Sequence, residues 1–240
     1  MATSAQVQQL NIVYFGRPAD PTGLAYWTTD TTTPLATIAD GFATTPEFQS
    51  TILGKSFAQI VNQFYVSLFG RSAEAAGINY WVELLSTGRT TIQEVGLNIS
   101  NAALRLPDTN ADNIALTSKL TASANYTAQV DTSTAGILAY AGQPGIDAGI
   151  AFLDPVLTVA TIPDAAATTA AVNNLIASNS GVGQTVDLSS FIDVFTATNA
   201  VRLTPAGDVV ETLPFRFTSA SQSVSATTGT VQARDELLDP

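Results

Sequence analysis

Cysteine and histidine are both absent from these 240 residues. Their absence excludes disulfides, zinc sites of the usual Cys/His kind, haem held by histidine, cysteine nucleophiles and every mechanism that needs an imidazole base. Charge is scarce too, at 12% of the chain, and the only lysines are Lys55 and Lys119. The 20 acids against 9 bases leave a formal net charge of −11. That sign repels phosphate backbones and bare anionic lipid, so nucleic acid is not expected as a partner. No apolar run approaches the roughly 18 residues of a spanning helix, so no transmembrane segment is expected. The opening Met-Ala-Thr-Ser-Ala-Gln lacks the basic and apolar regions of a signal peptide. An exported protein of this kind would need a route that does not use an N-terminal signal.

What takes the place of charge is alanine and threonine, 36 and 33 residues. Much of the surface must then be covered by short side chains, many of them neutral hydroxyls. With 45% apolar residues the chain can still build a full-sized core. An acidic, lysine-poor, cysteine-free composition fits a protein that works outside the cell without disulfide chemistry.

An internal repeat decides how the first hundred residues are read. Phe15-Gly16-Arg17-Pro18-Ala19-Asp20, followed by Gly23-Leu24-Ala25-Tyr26-Trp27, recurs as Phe69-Gly70-Arg71-Ser72-Ala73-Glu74, followed by Gly77-Ile78-Asn79-Tyr80-Trp81. The offset is 54 residues and persists to Thr37-Ile38-Ala39-Asp40 against Thr91-Ile92-Gln93-Glu94. Each copy, about 5–54 and 56–108, reads as three helices. In the second, Ser56 is a candidate N-cap before the stripe Phe57, Ile60, Val61, Phe64 and Leu68. Ile78, Trp81, Val82 and Leu85 form the next stripe, and Thr91-x-x-Glu94 offers a capping box to a helix carrying Val95 and Ile99. The first copy runs in parallel through Val7, Leu10, Val13 and Tyr14, then Leu24 and Trp27, then Leu35, Ile38 and Phe42.

The repeated letters have physical readings. Gly16 and Gly70 sit where a helix C-terminus favours a left-handed residue. Arg17 and Arg71 can satisfy terminal carbonyls or the acid three positions on, while Asp20 and Glu74 stand at the mouth of the next helix, where a carboxylate is favoured. The pairs Tyr26-Trp27 and Tyr80-Trp81 are read first as core wedges between helices. Their second reading is as glycan-contacting platforms.

The pattern Phe-Gly-Arg-x-Ala-Asp/Glu-x-x-Gly-Leu/Ile-x-Tyr-Trp, twice in register, resembles a helical repeat of unknown function found in secreted, calcium-dependent surface proteins of Gram-negative bacteria. That repeat is itself related to phycobilisome linker domains. The likeness extends over about residues 5–104, and residues 110–185 resemble the companion region of those proteins. It implies the N-terminal anchoring part of a surface-layer protein exported by type I secretion, with calcium as a cofactor, self-assembly into a lattice and lipopolysaccharide as the cell-surface partner. No Gly-Gly-x-Gly-x-Asp nonapeptide occurs here. The ending Asp235-Glu236-Leu237-Leu238-Asp239-Pro240 reads as a cut ahead of such repeats, so the chain is expected to be an N-terminal fragment.

Beyond the repeat, further helices are expected across 110–180: one through Ile114, Leu116 and Leu120, one over Ile137–Tyr140, an apolar stretch from Gly145 weakened at Pro155, and an Ala-rich helix over 165–178. After Gly181-Val182-Gly183 the apolar residues come in short runs broken by Asn, Gly and Pro, which is the pattern of strands and turns. The expected organisation is therefore a mainly α chain, with a helical anchoring domain over 1–183 built on a duplicated three-helix unit. A smaller β-rich segment is expected over 184–240, leading to a lattice domain that is not present in the chain.

Acids concentrate late: residues 1–100 hold seven against four bases, residues 101–240 thirteen against five. Hard cations want oxygen ligands, and Asp108, Asn110 and Asp112, beside Thr109 and Asn113, supply several in a short run. The spacing and central glycine of an EF-hand are missing, so the same run also reads as an Asx-rich helix cap. Asp147 with Asp154, and Asp187 with Asp193, are weaker cation candidates. Gly16-Arg17 and Gly70-Arg71 are not phosphate loops, and no serine has a histidine or a Ser-x-x-Lys frame. No carboxylate pair stands out for glycoside hydrolysis. The chain is read as non-enzymatic. Two function classes follow. One is a cell-surface anchor binding O-antigen polysaccharide and copies of itself; the other is an intracellular linker-like scaffold gripping protein partners through its helical faces. A linker for acidic antennae would want a basic surface, so the charge favours the anchor.

Overall fold

The computed structural model describes residues 2–29 and 32–179, and beyond them only the backbone of five short stretches between 185 and 231. The β-rich segment expected over 184–240 falls mainly on residues outside the described ones. The chain divides into two compact units, Met1–Leu175 and Ile176–Pro240. The described part of the first unit is all helical.

Both copies of the repeat open with the same capping chemistry. Thr3 accepts from the Gln6 amide while the Gln6 side chain accepts from the Thr3 amide, starting α1, Ser4–Phe15. Ser56 and Gln59 repeat the box at α5, Phe57–Phe69. Both helices stop at a left-handed glycine, Gly16 at φ 67° and Gly70 at φ 65°. After each stop come α2 (Pro21–Thr29) with α3 (Leu35–Ala43), and α6 (Ala75–Ser86) with α7 (Ile92–Ala103). The Thr91–Glu94 capping box starts α7 as its sequence suggests.

The first copy has a fourth helix that the three-helix reading left out. It is α4, Pro46–Ile52, capped by Thr45 and led by a proline at its first position. A seven-residue helix with one buried aromatic, Phe48, carries too little periodicity to stand out in sequence. The second copy is followed by the long helix α8, Ala111–Val130, then α9 (Thr134–Tyr140), α10 (Gly142–Leu153) and α11 (Ala165–Asn179). Helix α10 ends two residues ahead of Pro155.

Helix α1 is the hub, packing on α2, α3, α4, α5, α7 and α8. Every residue from Val7 to Tyr14 is buried, including the polar Gln8, Gln9 and Asn11. Such a helix needs its amides satisfied. Gln9 Nε2 donates to Ser100 Oγ at 2.7 Å and to Asn101 Oδ1 at 2.9 Å on α7, and Asn11 Nδ2 donates to the Val7 carbonyl. Tyr14 meets Phe48 edge-on at 5.2 Å, stands 6.2 Å from Phe64, and donates its hydroxyl to the Gln93 carbonyl at 2.6 Å. Burial, reinforced by Asp40, pushes that phenol well above its ordinary pKa. One tyrosine thus ties α1 to α4, α5 and α7.

Candidate functional site

The two Phe-Gly-Arg loops are built alike. Their glycines end a helix, and the next residue turns a guanidinium back against the preceding aromatic. Arg17 lies 5.3 Å from the Phe15 ring and 5.6 Å from that of Tyr140, while Arg71 lies 5.5 Å from Tyr65 and 5.9 Å from Phe69. Each arginine also bonds the carbonyl of the next residue, Pro18 or Ser72. Two residues after the arginine, a backbone amide donates to a side-chain amide oxygen one helix back: Ala19 to Gln8 at 2.9 Å, Ala73 to Asn62 at 3.0 Å.

The carboxylates that hold the arginines come from further along the chain than the sequence suggested. Arg17 makes two parallel bonds to Glu47, at 2.7 and 2.8 Å, instead of pairing with Asp20. Arg71 makes the same fork to Asp112, at 2.8 and 2.6 Å, and only a longer 3.4 Å contact to Glu74. Glu47 and Asp112 occupy the second position of α4 and α8, so each carboxylate also faces the positive end of a helix. Burial alone would lower the Arg17 pKa, and the Glu47 bond and charge acting together with Tyr140 more than reverse that, holding the guanidinium above its ordinary value. Asp20 caps α2 by accepting from the Gly23 amide at 2.6 Å. Glu74 is the N-cap residue of α6 without a side-chain bond to it.

The Tyr-Trp pairs divide their roles. Trp27 and Trp81 are half-buried against the core, with Trp27 6.0 Å from Phe42. Tyr26 and Tyr80, read from sequence as core wedges, are 62% and 57% exposed. The difference is angular: neighbours on a helix point about 100° apart, so only one of two adjacent rings can face inward. Each tyrosine meets its tryptophan edge-on, at 4.8 Å and 4.9 Å. The result is two surface aromatic pairs, 54 residues apart, of matching geometry.

The run that suggested calcium has other occupations. Asn110 Oδ1 caps α8 by accepting from the Asp112 amide at 2.9 Å, both Asp112 oxygens are on Arg71, and Asp108 is exposed. These residues do not fit a cation cage. Among the described residues no group of three or more acids stands close enough to hold a metal ion. No described helix is long and apolar enough to cross a membrane.

Gln8, Asn62, Glu47 and Tyr140 did not stand out as site residues in the sequence. The recurrence of an amide at the same repeat position, Gln8 and Asn62, was the one signal that could have exposed part of this set.

Residues 39–103 match a domain of unknown function (DUF4214). The DUF4214 segment runs from within α3 to the end of α7, so it holds Gly70, Arg71, Tyr80 and Trp81. Their counterparts Gly16, Arg17, Tyr26 and Trp27 lie outside it. The match brings no activity, ligand or cellular location with it. No curated protein and no solved structure matches the chain.

Proposed function

We propose that this chain is a non-enzymatic, extracellular anchoring module of a Gram-negative surface-layer protein, holding a lattice of copies to the cell by binding lipopolysaccharide through its O-antigen polysaccharide. The observation that carries the reading is the repeated pair of exposed tyrosines, Tyr26 and Tyr80, each set edge-on to a half-buried tryptophan. An aromatic face braced in this way offers the C–H face of a sugar ring a rigid platform at low entropic cost. Thr28 and Thr29, directly after Trp27, donate their hydroxyl protons to the Leu24 and Ala25 carbonyls, which leaves their oxygens to accept from sugar hydroxyls. Two weak sites on one chain, multiplied over many copies, hold by avidity.

Charge supports a neutral outer chain as the ligand, since a protein of net charge −11 is repelled by anionic core sugars. Calcium enters only between surfaces, bridging acidic protein to anionic sugar or to a neighbouring copy; no role for it runs through Asp108, Asn110 and Asp112. The test is binding of the 240-residue chain to purified lipopolysaccharide and to cells, with and without calcium. Tyr26→Ala with Tyr80→Ala should abolish retention while helicity stays unchanged. Equal retention on cells stripped of their polysaccharide would reject the anchor and favour a protein scaffold.

A further inference from the structure

The two repeat units differ in a further respect: the outer face of α1 is covered by a helix, and the matching face of α5 is covered by no described helix. Around Ser4, Ala5 and Gln8, helix α8 closes over α1 with Leu120, Ala124 and Thr127, leaving a groove of about 450 Å³. The residues 54 positions on, Ala58, Gln59 and Asn62, lie with Lys55, Gln63 and Val66 in an open depression that no described helix covers. Ile12, one turn beyond Gln8, is 0% exposed, while its counterpart Val66 is 47% exposed.

The polar groups show what is missing. In the first unit the Thr127 hydroxyl accepts from Gln8 Nε2 at 2.8 Å and donates to the Ala19 carbonyl at 2.7 Å. One threonine on a covering helix thereby joins the α1 side chain to the motif loop. In the second unit Asn62 Oδ1 is used on the Ala73 amide, just as Gln8 Oε1 is used on Ala19. Among the described residues Asn62 Nδ2 finds no acceptor and the Ala73 carbonyl no donor. A donor and an acceptor stand open at the two positions that a threonine hydroxyl bridges in the first unit.

We infer that the α5 face, centred on Ala58, Asn62 and Val66, is a docking surface for a second copy of this chain, which seats a helix there and bridges Asn62 and Ala73 with a Thr or Ser hydroxyl. Electrostatics selects the occupant. Two copies of net charge −11 repel over most of their surfaces, whereas the residues lining this depression include no acid and carry Lys55, one of only two lysines. An Ala- and Thr-rich helix surface, the character of this chain, is what the depression fits: small residues for close approach and a hydroxyl for the bridge. The contact joins unlike surfaces, so repetition builds a ring or an open array instead of a two-fold pair. The inference rests on the part of the proposed function in which copies associate, and not on sugar binding.

Sedimentation of the full chain without polysaccharide, over roughly 1 μM to 1 mM, tests it, since lattice contacts summed by avidity fall in this weak range. Concentration-dependent association is expected, reduced at least tenfold by Val66→Asp and also by Ala58→Asp. Leu138→Asp, the same change at another exposed apolar residue, should leave it unaltered. Helical circular dichroism should be unchanged in all three. A chain that stays monomeric throughout the range, or one whose association survives both α5 substitutions, overturns the inference. Either result leaves the lipopolysaccharide test untouched.

Discussion

The paired arginine forks allow an internal comparison, because the same bidentate bond is made twice at different depths. Side-chain exposure is 11% and 23% for Arg17 and Glu47, against 38% and 17% for Arg71 and Asp112. Removing one member of a buried pair strands the other and costs about 3–5 kcal/mol. Glu47→Gln or Arg17→Met should therefore fall in that range, and a double-mutant cycle should give a coupling of about 2–3 kcal/mol. Solvent screens Arg71 more, so the Arg71–Asp112 coupling should be about 1 kcal/mol and should shrink further with added salt. Urea unfolding at neutral pH, followed by helical circular dichroism and extrapolated linearly, measures the wild type and the single and double variants of both cycles. Equal couplings, or a value below about 0.5 kcal/mol at Arg17–Glu47, would refute the assignment of the deeper fork as the stronger clamp. The second cycle also separates ion pair from metal ligand. Asp112→Asn should destabilise equally in calcium and in chelator, and an effect seen only with calcium would restore Asp112 as a ligand.

Three further outcomes are expected. Gly16→Ala and Gly70→Ala share the left-handed strain of about 1 kcal/mol, but a methyl group at Gly70 would lie 2.5 Å from Leu157 while at Gly16 it meets only Ser67 at 3.8 Å; thermal melting should show Gly70→Ala as clearly the worse. Lys119 is buried without an ion pair among the described residues, and burial lowers its pKa despite Asp154, so its protonated form opposes folding. That penalty is full below the folded-state pKa and fades as pH rises through it to the ordinary lysine value; Lys119→Met should stabilise the chain by about 1–2 kcal/mol at neutral pH, and a gain that failed to shrink in alkali would contradict this. Trp27→Ala and Trp81→Ala, half-buried, should each cost about 2 kcal/mol in urea unfolding, near half the value for a fully buried aromatic; no change in either would mean that these rings brace nothing.

Features that are local or periodic were legible in the chain before any fold was known. The 54-residue repeat shows as a recurrence of letters, while the capping boxes at Ser56 and Thr91, the glycine stops at Gly16 and Gly70 and the helical stripes through Phe64 and Val95 depend on residues within a turn or two of one another. Burial at Val7, Leu10, Val13 and Tyr14 followed from spacing alone. Tertiary structure decided the rest. Arg17 had Asp20 three residues away and chose Glu47 thirty residues on, because a carboxylate at the mouth of α4 can meet the guanidinium squarely while Asp20 is engaged with the Gly23 amide. Asp112 looked like a cation ligand until the fold brought Arg71 to it. Tyr26 and Trp27 are neighbours in sequence, and only the seating of α2 on the core settles which ring faces outward. Helices α1 and α5 hold the same place in the two repeat units, yet α1 is buried on every side along Val7–Tyr14 and α5 is open on one side, since which surfaces are covered depends on where α8 comes to rest, and that is set by contacts more than a hundred residues apart in the chain.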